Sequence, residues 1–235
     1  MALRGVLFDL DGTLLDIDID AFLKRYFAAL SDAVADFVDE QADHEQMMAA
    51  IYRGTGEMMA SHPGETNREA FYRAFLEDTG IDLHQQWGVF ERFYDEVFPT
   101  LQGDLGPRAG AIEAFEAASA CGARIAIATN PIFPLSAISH RLKWAGIDPG
   151  RACAVTSFET MRACKPSPEY YRQTCEMLSL EPSECLMVGD DRMLDLPAAD
   201  IGLRTFYVGP DPNAPADYTG DMELLAQELP RLCAG

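Results

Sequence analysis

Arg4-Gly5-Val6-Leu7-Phe8-Asp9-Leu10-Asp11-Gly12-Thr13, near the start of the chain, carries the plainest signal of its architecture. Val6 to Phe8 is an apolar run that reads as a buried strand. Two acidic residues two positions apart follow it, then Gly and Thr. Gly12 breaks the strand, so Asp9 and Asp11 fall at its carboxyl end, where open α/β sheets bind ligands. Two carboxylates this close repel one another unless a cation or a shared proton intervenes. The stretch therefore asks for a metal or a proton-transfer role.

Outward from this strand the chain changes rhythm twice. Residues 17–98 read as an all-helical block. Asp20 caps a helix with Phe22, Leu23, Tyr26, Phe27, Leu30, Val34, Phe37 and Val38 at helical spacing. A second helix, about Asp43 to Met59, is expected to be interrupted or ended at Gly54 and Gly56. Ser61 to Gly64 is a turn, and Asn67 caps a helix that Gly80 stops. A further helix from about His84 carries Trp87, Phe90, Phe93, Tyr94 and Val97 and ends before Pro99. Residues 99–107 look like a linker.

From Arg108 helices and strands alternate. Strands are expected at 124–129, 153–156, 185–189 and 203–208, with helices at 108–121, 133–145, 168–179, 192–201 and 221–231. Val/Ile/Leu-rich strands in such alternation imply a parallel sheet with helices on both faces and right-handed crossovers. The predicted class is α/β, a Rossmann-like parallel core with an inserted all-helical domain. The core takes residues 1–16 and 99–235, and the insertion takes 17–98.

Composition narrows the partners. The 235 residues carry 18 basic and 38 acidic side chains, a net charge of −20. That balance argues against a nucleic-acid backbone or an anionic membrane as partner. No apolar run approaches the roughly 20 residues needed to span a bilayer. The six cysteines form no C-x-x-C pair, which reads as reduced thiols in a cytoplasmic protein.

The residues with chemical potential each follow a strand: Asp9 and Asp11, Thr129 and Asn130, Lys165, and Asp190 with Asp195. In a parallel sheet these ends share one edge. Alone, an Asp-Gly is an ordinary turn, a Lys before Pro a solvated loop residue and Asp195 a surface position. Together they form a constellation. Asp191, Asp200 and Asp211 keep the plain reading. A dinucleotide-binding oxidoreductase would need G-x-G-x-x-G after the first strand, and Asp-Leu-Asp-Gly-Thr does not supply it.

Asp9-x-Asp11-Gly12-Thr13, Thr129, Lys165 and Gly189-Asp190-Asp191-x-x-x-Asp195 resemble the four motifs of the haloacid dehalogenase-like hydrolase superfamily, in order and rough spacing. The insertion resembles that family's α-helical cap. The resemblance implies Asp9 as nucleophile, forming an aspartyl-phosphate. It implies Mg²⁺ on Asp9, Asp190 and the Asp11 carbonyl, with Asp195 holding a metal-bound water. The Asp11 side chain would be acid and base. Thr129 would bind the phosphoryl group, Lys165 would neutralise it, and Asn130 would orient substrate or Asp9. Asp191 stands where relatives often have Ser, and Thr13 stabilises the turn.

Within the family, Asp11 argues for phosphoryl transfer over dehalogenation. Lys24 is the insertion's only lysine and its spacing does not single it out for a Schiff base. No His follows the Asp-x-Asp motif closely, as sugar phosphomutases would have. The expected function is hydrolysis of a small phosphorylated metabolite, with mutase or phosphotransferase as runner-up. A non-catalytic binding protein would be suggested by loss of Asp9 or Asp190, and both are present. Substrate choice is assigned to the glycine-containing loop Tyr52-Arg53-Gly54-Thr55-Gly56, with Arg53 meeting an anionic group and His62 and Arg68 as weaker candidates.

Overall fold

A computed structural model describes residues 2–35, 44–60 and 62–235. The predicted helix positions Phe37 and Val38, the helix start Asp43 and the turn residue Ser61 lie outside the described residues. In chain order the elements begin with β1 (Gly5–Phe8) and β2 (Leu15–Asp16). The helices α1 (Ile19–Ala35), α2 (His44–Met59), α3 (Asn67–Thr79), α4 (Leu83–Gln86) and α5 (Gly88–Arg92) follow. Then come β3 (Gly106–Pro107), α6 (Ala111–Ala120), β4 (Arg124–Ile127), α7 (Leu135–Trp144), β5 (Ala154–Val155), α8 (Pro168–Met177) and β6 (Cys185–Gly189). The chain closes with β7 (Arg204–Tyr207), β8 (Tyr218–Thr219) and α9 (Met222–Ala234).

Six strands form one parallel sheet in the order β5-β4-β1-β6-β7-β8. β1 is central, and successive strands run outward from it first on one side and then on the other. The crevice that this reversal opens is where doubly wound sheets bind ligands. All four residues of β1 are buried because both sheet faces are covered. Val6 and Phe8 pack with Ile125, Val188 and Phe115 on one face. Leu7 packs with Met187, Tyr170 and Tyr171 on the other.

The first face continues without a break into the helical insertion, through Leu14, Leu15, Phe22 and Tyr26. A short antiparallel pair, β2 with β3, joins the two chain segments that enter and leave it. Residues 99–107 are thus not a bare linker. They comprise a 3₁₀ turn over Phe98–Gln102 and then β3.

α1 begins at Ile19, so Asp18, and not Asp20, accepts from the Ala21 amide (3.0 Å) as its cap. Three further expectations for the insertion change for physical reasons. α2 runs unbroken through Gly54 and Gly56. Gly54 is buried against the Phe71 ring of α3, where a Cβ would lie 2.6 Å from Cδ2, so this glycine serves close helix packing. The helix expected from His84 is divided into α4, α5, a π turn over Phe93–Val97 and the 3₁₀ turn. The Phe98 amide bonds the Phe93 carbonyl, and the wider turn puts Phe93, Tyr94 and Phe98 on the buried side together. Pro99 sits in the first turn of the 3₁₀ segment instead of stopping a helix.

The third change fixes the insertion to the core. Thr66, and not Asn67, caps α3, in a capping box with Glu69. Asn67 is then free to face the core. Its amide donates to the Met161 carbonyl (2.7 Å), its side chain donates to the Pro131 carbonyl (2.8 Å), and the Arg68 amide donates to the Phe158 carbonyl (2.8 Å). First-turn N–H groups have no partner inside a helix, so core carbonyls satisfy them.

In the core, residues 192–201 form turns and a 3₁₀ segment, Leu196–Ile201, in place of an α-helix. β8 is a short edge strand that no sequence pattern announced. All six cysteines are free thiols. Among the described residues no helix is long and apolar enough to cross a membrane.

Candidate active site

Asp9 directly follows β1, and its amide donates to the Val188 carbonyl at the end of β6 (2.9 Å). The side chain is thereby pinned at the crevice between these strands. Lys165 arrives from the loop before α8. Its Nζ donates to Asp9 Oδ1 (2.8 Å) and to Asp195 Oδ1 (2.6 Å). Burial by itself would weaken the charge on Lys165. The carboxylates of Asp195 and Asp9 outweigh it and hold the ammonium well above the ordinary lysine value.

Two glycines let the acidic groups converge. Gly12 has φ +82°, and a Cβ there would lie 2.3 Å from Asp190 Oδ2. A Cβ on Gly189 would lie 2.1 Å from Asp195 Oδ2. Side chains at either position would push a carboxylate out of the site. Thr13 Oγ1 donates to Asp190 Oδ1 (3.1 Å), so the threonine of the first motif fixes an aspartate of the last.

Asp9, Asp190 and Asp195 present carboxylate oxygens all within 4.8 Å of one another. Burial pushes Asp190 up to about 6, and the Asp9 charge adds to it. Burial likewise pushes Asp195 up to about 7, although Lys165 pulls the other way. One ammonium thus faces three carboxylates, and the set is short of positive charge. An all-oxygen donor cluster of this kind fits a hard divalent cation such as Mg²⁺. Asp195 already uses both oxygens, Oδ1 on Lys165 and Oδ2 on the Asp191 amide (3.0 Å). Asp9 and Asp190 are the residues that would hold the ion.

Asp11 lines the same pocket, but its carboxylate turns from the cluster to Arg141 on α7, which donates to Oδ2. Burial raises Asp11, opposed by the Arg141 charge. Asp11 Oδ1 and two Arg141 nitrogens, Nε and one terminal nitrogen, are buried with no hydrogen-bond partner. The guanidinium also stands 4.5 Å from the centre of the Phe133 ring.

The remaining predicted residues divide. Thr129 is buried in the pocket wall, and its carbonyl is fixed by the hydroxyls of Thr156 (2.7 Å) and Tyr170 (2.9 Å). Asn130 also lines the pocket, but its Oδ1 accepts from the Lys165 amide (3.2 Å), so it orients the lysine loop and not Asp9. Asp191 caps its own turn through the amides of Met193 and Leu194.

Arg53 is not brought to the site. It lies on the outer side of α2, paired with Glu77 and Asp78 of α3. The loop expected there is continuous helix, so the side chain follows the helix face. His62 is buried against Asn67 (2.8 Å), and Arg68 is absent from the pocket wall.

Sequence reasoning passed over Arg141 and Arg108. Arg108 donates to the carbonyls of Gly12 and Val208, tying the first motif to the end of β7. No local signal marks it. Arg141 had one: it falls in the buried stripe of α7 with Ala137, Ile138 and Leu142, where an apolar residue belongs.

The family model for haloacid dehalogenase-like hydrolase matches residues 3–200. N-acetylmuramic acid 6-phosphate phosphatase of Pseudomonas putida is 26% identical over 228 residues, covering 94% of this chain and 92% of that protein. Pyrophosphatase PpaX of Anoxybacillus flavithermus is 26% identical over 208 residues, covering 87% and 83%. The crystal structure of CbbY from Rhodobacter sphaeroides in complex with phosphate superposes with a TM-score of 0.57 at 20% identity, covering 95% of this chain and 96% of that one. On the family match, over most of its length, this chain belongs to the haloacid dehalogenase-like hydrolases.

Proposed function

We propose that the protein is a Mg²⁺-dependent hydrolase of a small phosphomonoester, working through a phosphorylated Asp9. The observation that carries this reading is the buried Lys165 ammonium bridging Asp9 and Asp195, with Asp190 beside them at the sheet's carboxyl edge. The relatives named as phosphatases support it.

The Asp9 carboxylate attacks phosphorus, and the bond to the ester oxygen breaks. Asp11 gives its proton to the departing oxygen, which leaves as the alcohol. That role requires the Asp11 carboxyl to exchange its Arg141 contact for the leaving group. Asp11 then takes a proton from water as that water attacks phosphorus, and the bond to Asp9 breaks to release inorganic phosphate. Lys165 and Thr129 neutralise and position the phosphoryl oxygens throughout. A Mg²⁺ held by Asp9 and Asp190 would supply further positive charge to those oxygens. The helical insertion acts as a cap that keeps bulk water from the phosphorylated aspartate.

The test is hydrolysis of p-nitrophenyl phosphate with and without Mg²⁺, by the native chain and by Asp9→Asn. Turnover that needs Mg²⁺ and falls at least about 10³-fold in the variant is expected. Undiminished turnover in excess chelator would overturn the metal role, and an active Asp9→Asn would overturn the nucleophile.

A further inference from the structure

Beside the catalytic pocket lies a second cavity, of about 270 Å³, between the helical insertion and the core. The two share a wall made of Leu23 on α1 and Ile132 and Phe133 from the core. Beyond this wall the lining is almost wholly apolar and aromatic, with Met58, Phe71, Trp87 and Phe90 prominent. Three of its polar tips are already engaged. The Tyr26 and Tyr94 hydroxyls bond each other (2.8 Å), and Thr55 Oγ1 donates to the Ile51 carbonyl (2.9 Å). Tyr52 and Met59, 53% and 58% exposed, form an apolar rim.

A packed interior leaves few voids larger than one water molecule. This space is larger, and its walls offer water little to bond, so it suits an apolar occupant. The catalytic pocket points the same way. Its wall away from the acidic cluster is Ile19, Leu23, Ile132, Phe133 and Leu194. Lys165 is its one cation among the described residues, and Asp9 and Asp195 already occupy it. Among the lining residues no second cation offers itself to another phosphate or a carboxylate, and the net charge of −20 opposes a polyanion.

We infer that the substrate is a phosphomonoester of an apolar alcohol, whose hydrocarbon arm passes Leu23 and Phe133 into the aromatic cavity. This rests on the phosphatase reading and names its substrate class. An alkyl chain and an aryl ring share the required chemistry, and the experiment separates them.

With Mg²⁺ present, kcat/KM is measured for n-alkyl phosphates from methyl to octyl, for phenyl and naphthyl phosphate, and for glycerol phosphate, N-acetylmuramic acid 6-phosphate and a sugar bisphosphate. Each methylene seated in the cavity is expected to raise kcat/KM about fourfold until the space is filled. Whichever of the alkyl and aryl series reaches the higher value identifies the arm. Thr55→Phe, which fills the cavity away from the reacting groups, should flatten the series and leave methyl phosphate unchanged. Should that variant fail to fold, Tyr52→Lys at the exposed rim should lower the slope instead. Hydrolysis with a flat series in the native chain, or faster turnover of the glycerol, muramic or bisphosphate esters, would overturn this inference alone. No hydrolysis of any ester, p-nitrophenyl phosphate included, would remove the phosphatase reading and this inference with it.

Discussion

The two cavities that meet at Leu23, Ile132 and Phe133 are built on opposite principles. One is walled on a side by Asp9, Asp190 and Asp195 around a buried ammonium, each held by a loop that follows a strand. The other is an aromatic chamber, lined mostly by helices of the insertion, in which the Tyr26 and Tyr94 hydroxyls bond each other and Thr55 bonds the Ile51 carbonyl. The polar site depends on backbone geometry: Gly12 and Gly189 admit carboxylates at distances no side chain would allow. The apolar chamber depends on how helices pack, as with Gly54 against Phe71. On the inference drawn above, chemistry common to the family rests on the first kind of construction and choice of substrate on the second.

Lys165→Met should break this contrast most severely on the polar side. It leaves Asp195 buried beside Asp9 with no compensating charge. Turnover should drop about 10³-fold for polar and apolar esters alike. Folding stability should fall by about 3 kcal/mol, read by denaturant titration in chelator. A loss confined to one substrate class would mean that the two cavities are not functionally separate.

Metal removal sharpens the comparison through pH. Without a metal, Asp190 and Asp195 are raised to about 6 and about 7, above their ordinary value of 3.8. Folding therefore favours their protonated forms. Their contribution to stability is fully present below about pH 3.8 and is lost as pH rises through about 6 and about 7. Mg²⁺ held by Asp9 and Asp190 would need Asp190 ionised, so its gain in Tm should grow as pH rises through about 6. Comparing Tm in chelator and in Mg²⁺ at pH 5 and pH 8 checks this, and an equal Mg²⁺ gain at both would count against the acidic cluster as the metal site.

The smallest effect is expected at Arg53. Its partners Glu77 and Asp78 lie on the exposed side of α3, so Arg53→Ala should leave kcat and KM unchanged across the ester series. A KM shift for any ester would return this arginine to the substrate path.

The alternation after Arg108 announced a parallel sheet because strands buried on both faces must be apolar throughout. The Asp-Gly-Thr and Gly-Asp motifs were legible for a related reason. Tight turns at a strand end admit few residue types, so the chemistry there leaves a local imprint. The aromatic insertion left no such imprint. Trp87, Phe90 and Tyr94 read simply as core, and nothing in their spacing revealed that they enclose a space. Arg53 lies away from the site because Gly54 and Gly56, which suggest a loop, both stay inside α2, Gly54 being packed against Phe71 of α3.

The apolar strands made the sheet and its chemical edge legible in the sequence, and the Asp-Gly turns marked Asp9 and Asp190, because each depends on residues near it in the chain; Lys165 stood out only in company with them. Only the tertiary structure decided that Asp195 holds Lys165, that Arg141 crosses 130 positions to hold Asp11, and that an apolar chamber opens beside the acidic one. Those depend on which side chains distant elements bring together. Burial and charge neutralisation act on distances in space, and local sequence does not encode them.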